Sequence, residues 1–111
     1  TTFGGGPVAS AAISATLSIV SEPEFLADLN RRSALLIKGC QDAGVQTVSG
    51  KGFLLGLHCS QPAAAIRGQL LAAGFLTGDA KNPNVVRLLP PLIISDSEIS
   101  EFVTALGQIL S

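Results

Sequence analysis

Arg87 is the only cation in the apolar run Val85-Val86-Arg87-Leu88-Leu89-Pro90-Pro91-Leu92. A guanidinium in such a run must reach solvent or meet an anion. Its planar fork is the side chain best suited to holding a carboxylate by two hydrogen bonds. Strand alternation that simply turns the residue to water accounts for the position equally well. A second candidate opens the chain, where Thr1 and Thr2 precede Gly4-Gly5-Gly6 and Pro7. Hydroxyl donors, a glycine backbone that allows close approach, and the free N–H groups of a following helix suit an anion such as phosphate. An ordinary leader to a helix would have the same composition.

Other patterns carry less. From Gly44 to Gly50-Lys51 there are five intervening residues where a P-loop needs four, and Gly52 stands where a Mg²⁺-binding hydroxyl is required. No GxGxxG occurs. His58 has no sequence companion for catalysis, and the carboxylates fall at helix starts and on polar faces, where they serve caps and solubility. Lys38 and Lys51 sit in polar settings, with nothing that marks either as a nucleophile. No catalytic set assembles within the chain, so the principal reactive group of any enzyme it serves is expected elsewhere. Cys40 and Cys59 lack CxxC or Cys/His ligand spacing, which argues against a metal site and for two reduced, buried thiols in a cytosolic protein.

The elements that must position these residues follow from periodicity and punctuation. Residues 1–6 read as a loop, and Pro7 opens a helix to Val20. Ser21 with Glu24 reads as a capping box for a second helix. That helix places Leu26, Leu29, Leu36, Ile37 and Cys40 on one face, keeps Arg31, Arg32 and Lys38 at polar positions, and ends at Gly44. Val45–Val48 reads as a strand, Gly50-Lys51-Gly52 as a turn, and Phe53–Cys59 as a second strand with a bulge or close approach at Gly56. A helix runs from Pro62 to Ala73, stopped by Gly74. Phe75–Thr77 reads as a brief strand, 79–84 as a loop, and Val85–Leu89 as the last strand. Ser95 with Glu98 is a second capping box, and Ile99, Phe102, Val103, Leu106, Ile109 and Leu110 make the clearest amphipathic stripe. The expected class is α+β: a small antiparallel or mixed sheet with helices on one face, preceded by a long interface helix.

Composition bounds the rest. The chain has 111 residues, 47% hydrophobic and only 14% charged, against a usual charged share of about 25%. Disorder is excluded as a general description. Seven basic residues against eight acidic ones, for a net charge of −1, exclude a basic nucleic-acid surface. The apolar stretch Pro7–Val20 contains four Ser or Thr, is shorter than the roughly 20 residues a membrane span needs, and has no basic residues ahead of it, which argues against a signal peptide. Methionine is absent and the chain begins at Thr1. Together with the low charge, this reads as a piece of a larger protein that covers much of its surface.

Three segments then resemble one family. Thr1-Thr2-Phe3-Gly4-Gly5-Gly6-Pro7 resembles the T-T-F-G-G-N-P segment of the class III pyridoxal-phosphate aminotransferases. Gly50-Lys51-Gly52-Phe53-Leu54-Leu55-Gly56-Leu57 is similar to their G-x-G-L-x-L-G-I strand, and Asn84 to Ser95 to their N-V-[IVL]-R-[LF]-x-P-P-L-x-[IV] segment. The segments occur in family order and span nearly the whole chain. The resemblance implies the C-terminal part of a fold-type I enzyme. Residues 1–20 would be the tail of the large cofactor-binding domain and a connecting helix, and residues 21–111 the small domain. It implies a cofactor-binding lysine upstream of Thr1, so that this chain alone would be inactive. It implies that Thr2 binds the phosphate of pyridoxal phosphate across a homodimer interface, that Thr1 lies near substrate, and that Arg87 holds a substrate carboxylate. Gly6 departs from the usual Asn, which puts some loop hydrogen bonding in doubt; Ser10, where Cys is frequent, reads as neutral. The implied substrates are a small amino acid and a 2-oxo acid, in the cytoplasm, without nucleic acid or membrane. The form of the motifs implies transfer between N-acetylornithine and 2-oxoglutarate, a step of arginine biosynthesis. Other members act on ornithine, 4-aminobutyrate or related ω-amines, and a stand-alone α+β binding or regulatory module is the reading outside the family.

Overall fold

The computed structural model describes residues 5–111. In chain order it contains α1 (Pro7–Val20), α2 (Pro23–Ala43), β1 (Thr47–Lys51), β2 (Leu54–His58), α3 (Ala63–Ala72), β3 (Gly78–Asp79), β4 (Val85–Leu88) and α4 (Asp96–Leu110). The strands form one antiparallel sheet in the order β1-β2-β4-β3. Leu55, Leu57, Val86 and Leu88 project from one face of it and pack with Leu36 and Cys40 of α2, Ile66 and Leu70 of α3, and Ile99 and Leu106 of α4. The architecture is the α+β class that the element order predicts.

Local chemistry explains each boundary. Pro7 occupies the first turn of α1, where its missing N–H is harmless. The capping box expected of Ser21 and Glu24 does not form. Only two residues join α1 to α2, so Ser21 still belongs to the end of α1, where its hydroxyl donates to Leu17 O at 2.5 Å; Glu22 is the N-cap of α2. At the far end of α2, Gly44 takes φ +115°, and the N–H groups of Gly44 and Val45 bond to Gln41 O and Cys40 O, a Schellman closure. That closure and the burial of Val45 delay the first strand. It runs Thr47–Lys51 rather than Val45–Val48. Correspondingly the turn is Gly52-Phe53 rather than Gly50-Lys51-Gly52. Lys51 pairs with Leu54, and Gly52 at φ +58° supplies the first central residue of a II′ turn.

Beyond α3 the expected strand Phe75–Thr77 is replaced by the two-residue β3. Phe75 turns instead toward α4, meeting the Phe102 ring edge-on at 5.5 Å. The second capping box is realised in full: Ser95 Oγ accepts from Glu98 N, and Glu98 Oε1 accepts from Ser95 N at 3.0 Å. An N-cap serine of this kind contributes about 1 kcal/mol.

α2 and α4 pack across one another. At Gly39 a Cβ would lie 2.6 Å from Val103 Cγ2, so glycine is what lets the two helices approach. Leu26, expected on the buried face of α2, is 45% exposed, because α4 begins opposite the next turns. α1 contributes nothing to the core: Val8, Ile13, Leu17 and Ile19 are all exposed. The radius of gyration of 16.0 Å exceeds the about 13 Å of a compact domain of this length, consistent with a helix that stands apart from the core.

Candidate functional site

Alternation along β4 sends Val86 and Leu88 into the core and Arg87 out to the face of the sheet that carries no helix. Arg87 is exposed there. Its cross-strand partners are glycines on both sides, Gly56 on β2 and Gly78 on β3. A Cβ at Gly78 would sit 3.7 Å from Arg87 Nε, so the arginine stem lies over β3, and glycine leaves it room. A Cβ at Gly56 would lie 2.8 Å from Ser49 Oγ and 3.2 Å from Val85 Cγ1, which makes Gly56 the expected close-approach point; the ladder through it is continuous, without a bulge. Among the described residues, no ion pair or side-chain hydrogen bond engages the Arg87 guanidinium.

His58, which has no companion in sequence, has one in space. The β1–β2 register sets Thr47 opposite His58 and Ser49 opposite Gly56, and Ser49 Oγ lies 3.0 Å from His58 Nε2. The signal for this pair is the hairpin register, which a turn placed one residue early conceals.

The segment after Arg87 is held by a residue that sequence alone assigns to the polar surface. Arg32 is 5% exposed. Its Nε donates to Asp28 Oδ2 at 2.8 Å, and Nη1 donates to Leu92 O at 2.7 Å and Ile94 O at 2.8 Å. The guanidinium also lies 5.5 Å from the centroid of the Phe53 ring in the hairpin turn. Arg31 extends the clamp, bonding both Asp28 and Asp96. Hydrogen bonds from Arg31 and then Arg32 hold the Asp28 carboxyl below its usual range. Ser33 Oγ donates to Gly52 O, fixing the hairpin turn to α2 as well.

The thiols of Cys40 and Cys59 are free and buried. Burial pushes both upward, Cys40 to about 12, which keeps them protonated and unreactive at neutral pH. A largely apolar groove of about 410 Å³ opens between Phe75, Leu89, Pro90, Ile94 and Phe102; Arg87 does not line it. No group of three or more His, Cys, Asp or Glu among the described residues could hold a metal, and no described helix is long and apolar enough to cross a membrane.

Thr1 and Thr2 lie outside the described residues. Closer to α1, Gly5 takes φ +84° and Gly6 is an N-cap without a side-chain hydrogen bond, leading into a helix whose first turn has no acidic residue. Among the described residues no side chain caps the first N–H groups of α1, and nothing acidic in that turn repels an anion.

The comparisons with known proteins converge on one group. The family described as Aminotransferase class-III matches residues 1–110. The acetylornithine aminotransferase of Corynebacterium efficiens is 44% identical, over 100% of this chain and 28% of its own length. That of Bacillus subtilis is 41% identical, over 100% of this chain and 30% of its own. Among solved structures, N-acetylornithine aminotransferase from Stenotrophomonas maltophilia K279a superposes with a TM-score of 0.86 at 30% identity, covering 96% of this chain and 31% of that one. The chain spans less than a third of the length of these relatives.

Proposed function

The chain belongs to the class III aminotransferase family, and from that premise we propose that it serves as the substrate-gripping C-terminal part of an enzyme that moves an amino group between N-acetylornithine and 2-oxoglutarate. The observation that carries this reading is Arg87: an exposed guanidinium on an open sheet face, flanked by two glycines and free of any ion pair among the described residues. An arginine so placed is available for a ligand carboxylate, and both amino-acid and 2-oxo-acid substrates carry one.

The family implies pyridoxal phosphate in the parent enzyme, and the described residues beside Thr2 fit its phosphate. The glycine approach and the N-terminus of α1, which no side chain caps among the described residues, are compatible with an anion. Thr2 would hold that phosphate through its hydroxyl, and Thr1 would lie near the substrate. When bound, the cofactor supplies the electron sink for the transfer, and the protein orients the substrate against it. The exposed apolar surface of α1 supports its burial against the rest of the parent chain and a second subunit in a cytoplasmic homodimer. On this reading residues 1–20 close the large domain and residues 21–111 form the small one.

Assaying the full-length enzyme with a panel of amino donors tests the proposal. N-acetylornithine is expected to give the highest kcat/KM with 2-oxoglutarate as acceptor; a preference for ornithine or 4-aminobutyrate would move the protein to another member of the family. Thr2→Ala is expected to release pyridoxal phosphate on dialysis at least about tenfold faster than wild type, since one hydrogen bond to a charged phosphate is worth about 1.5–3 kcal/mol. Wild-type retention would remove Thr2 from the phosphate site.

A further inference from the structure

An arginine between two glycines is aimed by its own strand. The cross-strand neighbours of Arg87 are Gly56 and Gly78, so no side chain directly opposite it on β2 or β3 braces its stem. Among the described residues no ion pair holds its guanidinium either. Its placement therefore follows the backbone of β4, which is only four residues long. Downstream, Pro90 and Pro91 have no N–H to give. The next carbonyls that a side chain holds, Leu92 O and Ile94 O, lie past both prolines. Upstream the strand is tied directly, and the tie is Asn84.

Asn84 Nδ2 faces three successive carbonyls just past β2: Cys59 O and Ser60 O at 3.4 Å, and Gln61 O at 3.2 Å. All three are acceptors, so the carboxamide presents its NH₂ group there, two protons shared among three oxygens. The backbone closes around it in the same direction. Asn84 O accepts from Cys59 N at 2.9 Å, and Pro83 O accepts from Ala63 N at 2.8 Å. Asn84 N donates to Asn82 Oδ1 at 2.9 Å. The start of β4, the end of β2 and the first residue of α3 are thus joined at one point, three residues before Arg87. A slip of β4 by a whole residue is already forbidden, because it would turn Val86 and Leu88 out of the core. Smaller shifts of the strand carry no such penalty, and a misplacement of about 1 Å at a reacting site can cost about 10²-fold.

We propose that Asn84 is a positioning residue for Arg87: its carboxamide fixes the start of β4 against the loop that leaves β2, and so sets where the guanidinium stands on the open sheet face. The proposal rests on Arg87 being the carboxylate-binding residue of the proposed function. Asn84 touches no substrate on this account. It acts through three residues of strand whose flanking glycines supply no correction.

A double-mutant cycle on the full-length holoenzyme, with 2-oxoglutarate as acceptor, tests it. Asn84 is half-buried and outside the core, so its variants are expected to fold. Asn84→Ala raises KM for 2-oxoglutarate about tenfold and leaves kcat within about twofold, the pattern of a weakened grip on the bound substrate. Asn84→Asp keeps the volume, removes the donor and turns an oxygen toward three carbonyls; its loss equals or exceeds that of alanine. In an Arg87→Ala background the same Asn84 substitutions change KM by no more than about twofold, because the residue they misplace is gone. A purely structural asparagine would give the same factor in both backgrounds, and that result overturns the positioning role. An unchanged KM in both Asn84 variants, with Arg87→Ala still impaired, overturns it as well and leaves Arg87 in place. Kinetics unaffected by Arg87→Ala overturn the Arg87 reading and this proposal with it.

Discussion

Replacing Arg87 with alanine in the full-length enzyme is expected to lower kcat/KM for 2-oxoglutarate by about 10²–10³-fold, while stability changes by no more than about 0.5 kcal/mol. The two halves of that expectation come from the same geometry. Arg87 faces solvent between two glycines, so its removal opens no cavity and orphans no buried partner. On the proposed function, what is lost is a bidentate, charge-assisted grip on a substrate carboxylate. Lysine restores the charge but not the fork, so Arg87→Lys should recover only part of the loss. Kinetics with both 2-oxoglutarate and glutamate, alongside thermal melting, separate the roles. Unchanged kinetics for both would remove Arg87 from the substrate site.

Arg32 is expected to behave in the opposite way. Arg32→Ala should destabilise the chain by about 2 kcal/mol in urea unfolding, because the carbonyls of Leu92 and Ile94 lose a charged donor and the half-exposed Asp28 loses one of its two arginines. Arg32→Lys keeps a cation but cannot reach Asp28 and two carbonyls at once, and should lose about half as much. A stability within about 0.5 kcal/mol of wild type for the alanine variant, the range of an ordinary surface substitution, would show that the clamp is incidental.

These two arginines show how far residue types carry. Arg87 was legible because a cation inside an apolar run has few explanations, and the strand around it follows from Val85 to Leu88 alone. The start of α4 was legible too: Ser95 and Glu98 are local to each other, and a capping box needs nothing else. Arg32 was not, since a helix position flanked by Arg31 and Asp28 looks solvated until carbonyls 60 and 62 residues away arrive to bury it. Ser21 misled for the converse reason: the S-x-x-E spacing was present, but the serine was already committed to closing α1. β3 was displaced because Phe75 gains more from packing against Phe102 than from continuing a ladder at the sheet edge. His58 seemed alone because its partner is supplied by hairpin register, which shifts by a residue if the turn is misplaced. Thr1 and Thr2 rest on resemblance and the loop chemistry around them, and lie outside the described residues.

The pairing of α2 with α4 bears on the order in which the chain acquires its structure. α2 leaves a ribosome well before α4, and Arg31 finds Asp96 across 65 positions. At roughly 5–20 residues per second of synthesis, α2 waits several seconds with Leu36 and Cys40 uncovered. The sheet offers no earlier shelter, since β2 cannot gain its second neighbour until β4 emerges. The ties that close this core are therefore long in sequence, the condition under which folding is slow and exposed apolar surface invites association. The helix made early is finished last, and its local safeguard in that interval is the Gly44 closure that keeps it from running on.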